Sequence, residues 1–328
     1  MSSRYRILRT VLSRVRASYR NIDTINIHKI PPKSVALPCT LGFSIFTWLG
    51  IEKKLTPEDE LIDVIKHCVL FIQRTEYDKA EQLLHVALRQ AQQIQHELGI
   101  TYVYDVMANL ALERQQLDKA QKLFVAVSQR LMADGAAEDD SRVVHISIKL
   151  ARICHLKKDF ATAQLGYTWC LEKLNNLLSS EPSEVTTKLL AMAEDWYGRL
   201  FVDCGNYEEG LDHMIQSLNR MKDLPDVEDE HIVIQLNDIG TVYDRMGKSD
   251  DSITYFKEAI EKGRKLDMDE IGTMHVNLGR AYLKKKLVDE ARKQCGYAWR
   301  LGVLKNSNII KDEAEDCLKE IKEIKLTV

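Results

Sequence analysis

Proline is almost missing from most of this chain. Four of the six prolines lie at or before position 57, and only Pro182 and Pro225 follow. Glycine is also scarce, at 15 residues in 328, and aromatic residues make up 7%. A sandwich or barrel needs turn formers at short, regular intervals, so an all-β fold is excluded. The same scarcity excludes collagen-like and low-complexity classes. A strong net charge is absent too. The formal value of −3 argues against a chain that binds nucleic acid as a whole. The 45% of hydrophobic residues suffices for a sizeable core.

Chemical motifs are equally thin. Gly247-Lys248-Ser249 is not a phosphate loop, because six residues separate it from Gly240, the motif needs four, and a helix precedes it where a strand is required. His96-Glu97 lacks the second His of a zinc protease. Cys154 and His155 are adjacent and point different ways on a helix. None of the seven cysteines forms a C-x-x-C pair, which removes a redox motif and a zinc knuckle. Cys68, Cys154, Cys170 and Cys295 fall at helix-core positions, where cysteine acts as a small hydrophobe, so no structural disulfide is expected. The reading is of a non-enzyme with no catalytic residue, cofactor, metal or small-molecule substrate.

What is present is uneven. Residues 1–54 carry ten Lys and Arg against two acids, a net of +8, so residues 55–328 hold −11 of the total −3. Met1 to Ile22 contain six Arg and no acid, and Leu8, Val11, Leu12, Val15 and Tyr19 fall at helical spacing. An Arg-rich, Ser-containing amphipathic start has the composition of a mitochondrial presequence; a basic tail on RNA or a membrane surface would share it. Residues 1–33 are assigned to presequence and linker. Ser34 to Ile51 then run 18 residues without a charge, with Trp48 and Lys53-Lys54 as interfacial anchors. Residues 34–54 are therefore expected to cross a membrane once; the rival is a buried segment or part of a removed leader. Such a leader would place residues 58–328 on one side of the inner mitochondrial membrane, with the intermembrane space favoured.

From Thr56-Pro57-Glu58-Asp59-Glu60, a helix start with an N-cap and Pro at the first position, the chain reads as helices throughout. A small residue followed four later by a large apolar one recurs six times: Ala80/Leu84, Ala120/Phe124, Ala163/Tyr167, Gly210/Met214, Ser252/Phe256 and Ala291/Cys295. Twelve residues before each small one lies another: Cys68, Ala108, Ala151, Gly198, Gly240 and Gly279. Antiparallel helices approach closely only where side chains are small. This pattern resembles the tetratricopeptide repeat, though the spacings of 40, 43, 47, 42 and 39 exceed its usual period of about 34, as in kinesin light chains. Residues 58–328 are expected to form an all-α solenoid of about six long-period hairpins, with Asn308 to Lys325 as a charged C-terminal capping helix.

Repeat solenoids present their first helices on a concave face. The repeat offset puts Asn109, Lys149, Arg152, Asp195, Arg199, Asn237, Thr241, Asn277 and Arg280 there. Asn pairs with peptide backbone and Arg grips carboxylates, so these are candidate partner-binding residues; the competing reading is a solvated polar face.

Residues 99–124, GITYVYDVMANLALERQQLDKAQKLF, and 145–174, HISIKLARICHLKKDFATAQLGYTWCLEKL, resemble the mitochondrial tetratricopeptide repeat protein 19 family. The similarity extends over roughly residues 60–325, and the order of leader, apolar segment and repeats also fits. It implies an inner-membrane scaffold that associates with respiratory complex III subunits and supports assembly and upkeep, including clearance of fragments of the Rieske iron–sulfur protein. A protease-recruiting factor and a cargo adaptor without complex III specificity are the alternatives.

Overall fold

A computed structural model of the chain describes residues 56–225 and 227–326. The expected presequence (1–33) and membrane segment (34–54) lie outside the described residues. Among those described, no helix is long and apolar enough to cross a membrane.

The chain divides into two compact units, residues 1–136 and 137–328. The first contains α1 (Pro57–Gln73), α2 (Tyr77–Gln93), α3 (Glu97–Glu113) and α4 (Leu117–Ala133). The second contains α5 (Ser141–Leu156), α6 (Phe160–Ser180), α7 (Glu184–Asp203), α8 (Tyr207–Lys222), α9 (Asp229–Arg245), α10 (Ser249–Lys265), α11 (Ile271–Lys284), α12 (Val288–Leu304) and α13 (Asn308–Leu326). The all-α reading holds: two helical hairpins in the first unit, and four hairpins plus a terminal helix in the second. No described residue is in a strand.

Helix α1 starts as its residues dictate. Thr56 Oγ1 accepts from the Asp59 N–H, Asp59 Oδ2 accepts from the Thr56 N–H, and Pro57 takes the first position. Most helices then end in one way. After α1, Thr75 adopts φ 62°, its N–H bonds to Ile72 O, and the Glu76 N–H bonds to Phe71 O. This doubly bonded, left-handed stop satisfies the last carbonyls and reverses the chain within three residues. It recurs at Gln95, Gln115, Gly135, Lys158, Gly205, Gly247, Asp267, Lys286 and Asn306. The exceptions are the ends of α6 and α8, where Pro182 and Pro225 mark the loops.

The small residues lie where the spacing puts them. Cys68, Ala80, Ala108, Ala120, Ala163, Ser252, Ala291 and their large partners Leu84, Phe124, Tyr167 and Phe256 are buried. In the hairpin of α7 and α8 both small residues are glycine, and the backbones meet. A Cβ on Gly198 would lie 2.7 Å from Gly210 O, and one on Gly210 would lie 2.8 Å from Gly198 O. Within the first unit the core runs from Leu61 through Ala87 to Leu110. In the second, one cluster covers Val144 to Leu200 and another Leu211 to Ile321.

One expectation fails. Cys295 and Cys317 form a disulfide between α12 and α13, with Cα atoms 6.2 Å apart. Cys295 is a core residue, as read, but its neighbour across the helix pair is a second cysteine.

Candidate functional site: a polar row on the first helices

Within the second unit, α5, α7, α9, α11 and α13 occupy the same place in successive hairpins, and α5–α7, α9–α11 and α11–α13 touch directly. The polar residues of these helices bond to one another. Arg199 grips Asp195 on its own helix, with Nε to Oδ2 at 2.8 Å and Nη2 to Oδ1 at 2.7 Å. Its Nη1 lies 2.9 Å from Asp238 Oδ2 on α9. Asn277 Nδ2 on α11 donates to Asn237 Oδ1 on α9 at 3.0 Å, and Thr241 Oγ1 donates to the Asn237 carbonyl. Lys284 pairs with Asp244 at 2.7 Å, and Arg280 Nε approaches Glu320 Oε1 on α13 at 3.8 Å. Along this polar row Arg199 is thus tied to Asp195 and to α9, Asn237 to Thr241 and to Asn277 on α11, and Arg280 to α13.

Three sequence candidates depart from a solvated binding face. Asn109, in the first unit, is buried, and its Nδ2 donates to the Asp105 carbonyl one turn back. Lys149 and Arg152 on α5 are also buried. Arg152 Nη1 donates to His155 Nδ1 at 2.9 Å, and the guanidinium stacks over Trp196 at 5.7 Å. Trp196 of α7 thus covers the Arg152 guanidinium.

The charge state follows from burial. With Nδ1 accepting from Arg152, His155 carries its proton on Nε2 and donates to Asp203 Oδ2 at 3.1 Å. Burial pushes the His155 pKa down, against the pull of Asp203. Burial raises the Asp203 carboxyl, but the His155 bond and the Arg152 and Arg245 charges outweigh it and hold the value low. Burial also lowers His145, His213 and His275. On α7, burial raises Glu194 despite its bond from Arg220 at 2.9 Å. These are structural pairs that fix one helix against the next. Among the described residues no three His, Cys, Asp or Glu side chains are grouped to hold a metal.

Asp203, Asp238, Asp244, Lys284 and Glu320 were not singled out from the sequence. A signal existed: each stands one repeat from its partner, 48 residues for His155/Asp203, 39 for Arg199/Asp238 and 40 for Asp244/Lys284 and Arg280/Glu320.

Stacked helical hairpins with small residues at every crossing define an α-solenoid of the tetratricopeptide-repeat class. The family model described as "Tetratricopeptide repeat" matches residues 189–265. Among solved structures, the apo form of RapI shares the fold with a TM-score of 0.60 at 12% identity, over 84% of this chain and 73% of that one. The Drosophila melanogaster "Tetratricopeptide repeat protein 19 homolog, mitochondrial" is 38% identical over 273 residues, which is 83% of this chain and 74% of that protein. The Homo sapiens "Tetratricopeptide repeat protein 19, mitochondrial" is 27% identical over 80% of this chain and 72% of its own length. The chain belongs to the tetratricopeptide repeat protein 19 family.

Proposed function

We propose that this protein is a non-enzymatic mitochondrial scaffold, carried in by residues 1–33, tethered to the inner membrane by residues 34–54, with residues 58–328 in the intermembrane space. It binds subunits of respiratory complex III, including the Rieske protein or its fragments, and supports assembly, upkeep and fragment clearance. One observation carries the reading: the 38% identity to a relative named mitochondrial runs through the repeat body, where a scaffold's recognition surface would lie. The contact surface in this proposal is the first-helix row of the second unit, with Asp195, Arg199, Asn237, Thr241, Asn277 and Arg280 facing the partner and the buried Lys149 and Arg152 on α5 beside it; Asn109 belongs to the first unit and is proposed as a partner contact of that unit alone.

The test is affinity purification of the full chain from digitonin-solubilised mitochondria, read by quantitative mass spectrometry. Complex III subunits should be enriched, and an Asn237→Ala/Asn277→Ala variant should retain less of them. Recovery of the chain without complex III would overturn the assignment. Carbonate extraction and protease treatment of mitoplasts check the tether and the side: release into the carbonate supernatant, or a protected repeat body, would each refute one part.

A further inference from the structure

In five hairpins the position four after the second small residue is filled by a large apolar side chain: Leu84, Phe124, Tyr167, Met214 or Phe256. In the sixth it is Cys295, too small for that slot alone. The volume is completed by sulfur from α13, since Cys295 and Cys317 are bonded and both fully buried. Gly279 makes room for the bridge, because a Cβ there would lie 2.4 Å from Cys295 Sγ.

The register of α13 explains why a bridge is useful. The small residues of the first helices advance from Cys68 to Gly279 in steps of 39 to 47, and Cys317 follows 38 residues after Gly279. Helix α13 is therefore the first helix of a seventh hairpin. No second helix follows it among the described residues. Through Ile310, Ala314, Cys317 and Ile321 it packs onto α11 and α12. The bridge ties this helix to the second helix of the hairpin before it.

We propose that Cys295 and Cys317 are a native disulfide that locks α13 onto α12, closed by exchange with a protein disulfide oxidant in an oxidising compartment. The Cys317 thiolate attacks the oxidant's disulfide, forms a mixed disulfide and expels one thiolate. The Cys295 thiolate then attacks the Cys317 sulfur and expels the second. Two protein thiols lose two protons and two electrons, and the oxidant's disulfide is reduced to two thiols. Both sulfurs are out of reach once α13 is docked, so closure precedes or accompanies docking. Two other thiols compete little once folded: burial pushes Cys68 and Cys170 up to about 12, leaving almost no thiolate.

The compartment clause rests on the proposed intermembrane-space location; the bond and the complex III association are read separately, so their failures differ. Mitochondria holding the full chain are denatured in N-ethylmaleimide, reduced, and labelled with a maleimide polyethylene glycol. Two labels should appear after reduction, and none in Cys317→Ser. The wild-type non-reduced tryptic digest should contain Gln294–Arg300 linked to Asp312–Lys319, a readout independent of how the variant folds. On the purified chain, reduction should make the amides of residues 308–321 exchange at least about tenfold faster. Failure to gain label after reduction, or absence of the linked peptide, overturns the proposal even where complex III co-purifies.

Discussion

Replacing Gly198 by alanine tests the packing rule where it is tightest. The added methyl would sit 2.7 Å from Gly210 O, 2.8 Å from Met214 Cγ and 3.1 Å from Met214 N. The Met214 side chain can move, but the carbonyl and amide belong to α8, so the helices must separate. Overpacking of this kind costs about 1–3 kcal/mol, and contact with backbone belongs at the upper end. Alanine also recovers about 1 kcal/mol of helix propensity over glycine. The net expectation is a loss of about 2 kcal/mol.

Gly296, inside α12, supplies the control, since a Cβ there meets nothing within 4 Å. Gly296→Ala keeps the propensity gain without the clash and should stabilise by up to about 1 kcal/mol. For a unit the size of residues 137–328 these become a Tm lowered by roughly 4–8 °C and one raised by roughly 2–4 °C. Trp169, Trp196 and Trp299 all lie in this unit, so tryptophan fluorescence during thermal unfolding reports it. If Gly198→Ala melts at or above the parent temperature, close backbone approach is not what selects glycine there.

Ala120 is fully buried at the crossing of α3 and α4, so Ala120→Leu should cost about 1–3 kcal/mol in urea unfolding of the first unit. Arg199→Ala looks neutral from the sequence, as a surface change should. Its hydrogen bonds to Asp195 and its ion pair with Asp238 now make a loss of about 1–3 kcal/mol the expectation, and an Asp238→Asn double-mutant cycle should return a non-zero coupling. His145, His155, His213 and His275 have folded pKa values below the unfolded value of 6.5. The unfolded chain therefore binds more protons just below pH 6.5, and stability should be full above that pH and fall on acidification through the folded values. Glu194, raised by burial, opposes this only at lower pH, just above 4.5. Urea midpoints between pH 7.5 and 5 check the slope, which His155→Gln should reduce; a flat profile would refute it.

The fold was legible because helix crossings impose a side-chain size, and size shows in a sequence at a fixed offset. Ala120, Gly198 and Gly279 could be placed with no knowledge of their neighbours. The helix stops were less visible. Thr75, Gln95 and Lys158 take left-handed backbone that glycine would advertise, and what holds them there is a pair of backbone bonds. The bridge was missed for a related reason. Cys295 in an apolar slot reads as a hydrophobe, and a partner 22 residues away on another helix forms no local motif.

The candidate site marks where single-helix reasoning ends. An offset within a repeat can say that Arg199 and Asn237 face the same way, but whether that face is open depends on the residue one repeat further on. Asp238 stands at that distance as an ion-pair partner of Arg199, and Asn277 takes up part of the hydrogen-bonding capacity of Asn237. A partner that binds this row must therefore offer groups good enough to replace or extend ties already made, which weakens binding by loosely matched peptides and favours a folded surface with fixed charges. The family itself is carried by identity along the repeat body, since the packing rule that builds the solenoid is common to scaffolds with unrelated partners.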